Sequence, residues 1–191
     1  MLENWAVQLE QGNTGRVYVA QNWGEDFPYG RFGGVCTGTG SRSIRGKNGK
    51  NFGRMICAAL GFSQALFTGF ESEYTRFMEK QNLPIRQNWN SICIPDFAVA
   101  GATCTDKDCK LFDIDIFGGA CLRGQSDVFV HCKKKDENVG SWTEWNNADY
   151  GECKDTEYLR QQYRECKSDI YDNPICEGPF LQVNNYQRNF S

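Results

Sequence analysis

The sequence predicts an α+β fold, and three observations carry that expectation. Two kinds of segment alternate β-branched or aromatic residues in the manner of strands, one segment repeats apolar residues at helical spacing, and long polar stretches separate them. Gly15-Arg-Val-Tyr-Val-Ala20 alternates and reads as a strand, and Phe32-Gly-Gly-Val-Cys36 reads as a second. From Asn51 to Leu60 the apolar positions Phe52, Met55, Ile56, Ala59 and Leu60 recur at helical spacing. Asn51 is suited to cap that helix and Gly61 to take the left-handed position after it. Asp127-Val-Phe-Val-His-Cys132 reads as a closing strand. The order is strands, one short helix, long loops and a strand.

The cysteines set the compartment. The 191 residues include ten cysteines and one histidine, and no two cysteines lie closer than Cys104 and Cys109. Without a Cys-x-x-Cys pair and with one imidazole, tetrahedral zinc sites of the finger or ribbon type are excluded, and no cofactor is expected. An even number of scattered cysteines in a small polar chain reads as a disulfide framework in an oxidising compartment, hence a secreted or cell-surface protein. The longest apolar run, Met55 to Phe62, falls far short of the roughly twenty residues that span a bilayer. Met-Leu-Glu-Asn-Trp5 carries no basic start followed by an apolar stretch, so no signal peptide is visible, and given the cysteines the chain reads as a mature or recombinant one.

Charge marks a boundary. Residues 1–135 carry 16 Lys and Arg against 13 Asp and Glu, a net of +3, whereas residues 136–191 carry 5 against 11, a net of −6. The step falls in the polar stretch Lys133 to Gly140, which is suited to a short linker, and the cysteines divide seven and three across it. Two domains are therefore expected, 1–135 and 136–191.

The segments of the first part, in order, carry a resemblance. Gly15-Arg-Val-Tyr-Val, Phe32-Gly-Gly-Val-Cys36, Met55-Ile-Cys57-Ala-Ala-Leu-Gly61-Phe62 and the Cys121 to Cys132 segment resemble the scavenger receptor cysteine-rich (SRCR) domain over about residues 7–133. The resemblance implies a curved sheet cradling one short helix, with bridges Cys36–Cys121, Cys57–Cys132 and Cys93–Cys104. It leaves Cys109 over. The calcium site of some such domains is not expected here, because Cys36-Thr37-Gly38-Thr39 lacks the carboxylates and only Asp127 remains. Asp106, Asp108, Asp113 and Asp115 lack the closing glutamate of an EF-hand and read as a solvated loop.

In the second part, Trp142-Thr-Glu-Trp145, Arg160-Gln-Gln-Tyr-Arg164-Glu-Cys166 and Cys176-Glu-Gly178 resemble a degenerate thrombospondin type 1 repeat over about 140–182. This implies a small, disulfide-poor layered β domain in which Arg160 and Arg164 stack against Trp142 and Trp145, each cation over an indole contributing about 0.5–2 kcal/mol. The repeat implies a Cys166–Cys176 bridge and C-mannosylation of Trp142. Cys153 is left over, and two readings stand for the orphans: a Cys109–Cys153 tie between the domains, or a bridge to another chain.

The basic segment is the ligand-binding candidate. Arg31, Arg42, Arg45, Lys47, Lys50 and Arg54 follow one another with no acidic residue between them, interleaved with Thr37-Gly-Thr-Gly-Ser41 and Gly46-Lys-Asn-Gly49. This composition reads as an exposed loop that attracts acidic proteins, sulfated glycans or anionic surfaces. Nucleic acid is not expected of an extracellular chain with net charge −3. His131, beside Cys132 on a strand, reads as structural rather than catalytic, and Asn189-Phe-Ser191 is the one N-glycosylation sequon. The expectation is a non-enzymatic extracellular binding, adhesion or assembly module capable of self-assembly. The alternative is a secreted pattern-recognition binder of polyanionic glycans or microbial surfaces.

Overall fold

A computed structural model describes residues 5–21, 33–83, 98–114, 121, 124–134, 139–152, 159–171, 174–176, 178 and 180–185. It is a mixed α+β protein with a mostly sheet core and two helices among the described residues. The larger sheet contains β1 (Trp5–Leu9), β2 (Thr14–Gln21), β3 (Gly33–Cys36), β4 (Ala65–Phe70), β5 (Ala98–Cys104), β6 (Cys109–Ile114) and β7 (Val128–Cys132). Its order is β4-β7-β2-β3-β5-β6, with β1 paired to β2. The ladders are antiparallel except for β3 with β5. β2 is the hub: Thr14–Arg16 pair with β7, Tyr18 and Val19 with β3, and Val17–Gln21 with β1.

Alternation along β2 explains the layers. Val17 and Val19 point to one face, where they join Val35, Phe52, Ile56 and Val130 in the main core beneath helix α1 (Gly46–Ala59). Tyr18 and Ala20 point to the other face and are covered by Phe180 with Ala6 and Trp142. All four β2 side chains are fully buried, so the strand is sandwiched rather than half-solvated. β7 repeats the pattern. Val128 and Val130 face the α1 core, while Phe129 meets Tyr74 and Met78 of a second helix, α2 (Glu71–Lys80).

The one-helix expectation is thus corrected. α2 lies where long loops were expected. Tyr74, Phe77 and Met78 form its packed stripe, with Glu71 and Glu73 in the first turn and Lys80 in the last, as the helix dipole favours. α1 also starts earlier than Asn51, at Gly46.

Beyond residue 138 lie a three-stranded antiparallel sheet, β12 (Leu181–Asn185)-β10 (Leu159–Tyr163)-β9 (Asn146–Glu152), and a two-stranded pair, β8 (Ser141–Trp142) with β11 (Cys166–Lys167). This part docks on the first. The Phe180 N–H donates to the Glu10 carbonyl at 3.1 Å, its ring meets Tyr18 edge-on, and Ile175 packs on the main core. Among the described residues no helix is long and apolar enough to cross a membrane.

Four disulfides close among the described cysteines: Cys36–Cys121, Cys57–Cys132, Cys104–Cys109 and Cys166–Cys176. The Cys57–Cys132 bridge joins α1 to β7. Two expected pairings are overturned. Cys104 does not bond Cys93, and Cys109 does not bond Cys153, because β5 and β6 form a hairpin that sets Cys104 directly opposite Cys109. The turn between them is held by Thr105, whose N–H donates to the Asp108 carbonyl at 2.7 Å and whose Oγ1 accepts from the Lys107 and Asp108 N–H groups. Cys93 and Cys153 lie outside the described residues.

Candidate binding face on the first helix

Arg42, Arg45, Lys47, Lys50 and Arg54 are all exposed, but they do not ride on a free loop. Residues 37–54 are tied to the sheet, and that correction has a local cause. The Thr37 N–H donates to the Ser126 carbonyl at 2.8 Å, and the Ile44 N–H donates to the Thr37 carbonyl at 2.7 Å. Ile44 itself is buried in the core. A short 3-10 turn (Gly40–Arg42) then crosses β5 where the strand carries Gly101, at φ +93°. A side chain there would strike the Arg42 carbonyl, so the glycine admits the close crossing.

Asn48 fixes the start of α1. Its amide donates to the carbonyls of Ser43 and Ala102, each at 2.7 Å, and its Oδ1 accepts from the Cys104 N–H at 2.7 Å. Asn51, one turn on, donates to the Cys104 carbonyl at 3.3 Å instead of capping the helix. Further along, Gly53 lets α1 approach β4 so closely that a Cβ would collide with Thr68 Oγ1. These contacts were not read from the sequence; the available signal was the pair of asparagines three residues apart within a glycine-rich stretch.

On this pinned helix, Lys47, Lys50 and Arg54 follow an i, i+3, i+7 pattern and so share one outward face. The buried face carries Phe52, Ile56 and Cys57. No acidic residue occupies the first turn of α1, leaving the positive end of the helix dipole uncompensated by the helix's own first turn. Arg54 Nη2 donates to Asn51 Oδ1 at 2.6 Å, which orients its guanidinium. Arg42 lies over the Phe112 ring at 3.8 Å from the centroid, and Lys110 approaches the same ring at 5.6 Å. Arg45 stands 5.4 Å from the Phe70 ring. Aromatic faces therefore seat two of the arginines. Arg31 lies outside the described residues.

Phe70 also borders an open cleft of about 650 Å³ lined by Glu71, Ser72, Thr75, Arg76, Ser126 and Asp127. Asp127 accepts from Arg16 Nη2 at 2.7 Å. Burial opposes the charge of Arg16, but Tyr18 and Asp127 outweigh it and the group stays firmly protonated. Among the described residues no group of three or more His, Cys, Asp or Glu side chains is placed to hold a metal ion.

His131 is buried. Its Nδ1 lies 2.9 Å from Thr14 Oγ1, which lies 2.7 Å from the Tyr74 hydroxyl, so a chain of hydrogen bonds joins β7, β2 and α2. Burial pushes the Tyr74 phenol up to about 12. In the second part, the Arg164 guanidinium lies 4.2 Å from the Trp142 ring and 4.4 Å from Trp145. Arg160 belongs to β10, but its side chain, like Asn189, lies outside the described residues.

No protein-family model matches this chain, and no match is found among curated proteins or solved structures.

Proposed function

We propose that this chain is a non-enzymatic extracellular recognition and assembly module, SRCR-like in its first part and thrombospondin-repeat-like in its second. It engages acidic partners through Arg42, Arg45, Lys47, Lys50 and Arg54. The observation that carries this reading is the outward row Lys47, Lys50 and Arg54 on a helix anchored by Asn48 and by the Cys57–Cys132 bridge. A rigid carrier lowers the ordering cost of binding relative to a free loop. The disulfides support an oxidising location, and clustered cations on a fixed face steer anionic partners and make association salt-dependent.

The test is retention on immobilised polyglutamate across a salt gradient. The protein is expected to bind at low salt and elute as salt rises. The variant Lys47→Gln, Lys50→Gln, Arg54→Gln is expected to pass through. Equal retention of the variant and the parent protein overturns the assignment to this face.

A further inference from the structure

The cleft beside α2 combines fixed walls with free side chains. One wall is the turn into β7. There the Ser126 carbonyl accepts from the Thr37 N–H at 2.8 Å, and the Ser126 N–H donates to Thr37 Oγ1 at 3.2 Å. Asp127 follows, paired through its backbone with Cys36 and held at its carboxylate by Arg16 Nη2 at 2.7 Å. Gly34 leaves room for that ion pair, since a Cβ there would lie 3.2 Å from Arg16 Nη2. The other wall is α2, seated on Phe129 by Tyr74 and Met78. Glu71, Ser72, Thr75 and Arg76 lie on adjacent turns beside that packed stripe and line the cleft, with Phe70 just before the helix. Among the described residues none of these four side chains makes a hydrogen bond or an ion pair.

The lining selects its ligand by donor and acceptor type. Its two carboxylates only accept, its guanidinium only donates, and the hydroxyls of Ser72, Thr75 and Ser126 do either. The charges balance, because Arg16 offsets Asp127 and Arg76 offsets Glu71. Arg45, 5.4 Å from the Phe70 ring, is not among the lining side chains. A simple anion or amine would satisfy one sign of the lining and leave the other without a partner. A pyranose ring has the complementary form: hydroxyls that donate and accept around its rim, and C–H groups to set against Phe70. The volume of about 650 Å³ lies within the roughly 300–1,000 Å³ of small-molecule sites.

We infer that this cleft binds a neutral pyranose sugar. The site shares no residue with the basic set above and stands apart from the acidic-partner reading. Walls held by bonds of their own keep it formed before the ligand arrives, which lowers the ordering cost of binding.

Nuclear magnetic resonance of the isotope-labelled full chain tests the inference. The probes are methyl α-D-mannopyranoside, methyl β-D-glucopyranoside and methyl β-D-galactopyranoside, added singly. At least one is expected to move the Ser72, Thr75, Arg76, Ser126 and Asp127 amide signals saturably, with a Kd on the order of 1 mM for so small a ligand. Raising salt from about 20 mM to about 500 mM is expected to leave that Kd within about twofold, because the ligand carries no charge. Thr75→Val and Arg76→Gln alter the lining without touching the packed stripe, and each is expected to weaken binding at least about fivefold. Ser72→Ala replaces either variant that circular dichroism shows to be unfolded.

No saturable response to any of the three glycosides overturns the inference, as does a response that maps away from the cleft or persists undiminished in the variants. Sodium acetate or methylammonium chloride moving the same amides more strongly at equal concentration would also overturn it, giving the cleft to an ion. The Lys47→Gln, Lys50→Gln, Arg54→Gln variant is expected to keep the glycoside response while losing polyglutamate retention. Loss of the glycoside response in that variant would refute the assignment to this cleft.

Discussion

The Phe180 ring meets Tyr18 edge-on, with centroids 5.5 Å apart and planes at 72°. Tyr18 belongs to the central strand of the larger sheet and Phe180 to the last described stretch of the chain, so one aromatic pair joins sequence neighbourhoods on either side of the charge boundary. Both rings are buried, and burial pushes the Tyr18 phenol far above its usual range. Phe180→Ala is expected to lower stability by about 3–5 kcal/mol, the range for truncating a buried phenylalanine. Denaturant titration followed by tryptophan fluorescence and by circular dichroism checks this. The midpoints are expected to fall together, because the two parts share the cluster that the ring fills.

Asn48 offers a second measurement. Asn48→Ala removes three hydrogen bonds at once and strands the Cys104 N–H and the carbonyls of Ser43 and Ala102. A loss of about 1–3 kcal/mol is expected, along with faster hydrogen exchange at Cys104. Asn48→Asp keeps the acceptor but not the donor, so it is expected to restore protection at Cys104 in part. Equal exchange in the parent protein and the alanine variant would contradict the anchoring role.

The bridges can be read chemically. Non-reducing digestion and mass mapping are expected to recover Cys104 joined to Cys109, along with the 36–121, 57–132 and 166–176 pairs. A 93–104 or 109–153 peptide pair would refute the hairpin register.

His131 makes stability depend on pH. Burial first, then the charge of Lys134, holds its folded pKa below the ordinary 6.5. The folded state therefore prefers the neutral ring. Its contribution is complete above about pH 6.5 and is lost as pH falls from there through the folded pKa. Because His131 is the only histidine, urea midpoints measured from pH 7.5 to pH 5.5 isolate it. The expected slope is at most about 1.4 kcal/mol per pH unit, and it should flatten in His131→Gln.

How much of this was legible depends on where the signal lay. The Gly15–Ala20 alternation and the Phe52, Met55 and Ile56 spacing mark real elements because local period and burial agree there. Arg164 between Trp142 and Trp145 follows from motif resemblance, as do three of the bridges. α2 was hidden in plain composition: Tyr74, Phe77 and Met78 form a short stripe directly after a strand, and Phe70 provides no side-chain cap. The first turns of α1 were hidden for the opposite reason. Gly46-Lys-Asn-Gly49 has loop chemistry, and only contacts from Asn48 to strand β5, more than fifty residues away, make it helical. The Cys104–Cys109 pair required the β5–β6 register, and the cover over Tyr18 required Phe180 from far along the chain. Neither leaves a trace in local periodicity.

The overlapping bridges Cys36–Cys121 and Cys57–Cys132 also decide how the protein would carry a pulling force. Tension applied between residues 5 and 185 bypasses most of the first part, since the 36–121 bridge alone removes 85 residues from the extensible path. That is about 280–300 Å of contour length withheld as long as the sulfurs stay oxidised. What can give is the stretch before Cys36, with β1 and β2, and the seam at Phe180 with the strands beyond it. Under load the chain would act as a link whose stretch is confined to its two ends while its bridged middle holds, and a reducing agent would turn that link into a long, slack tether.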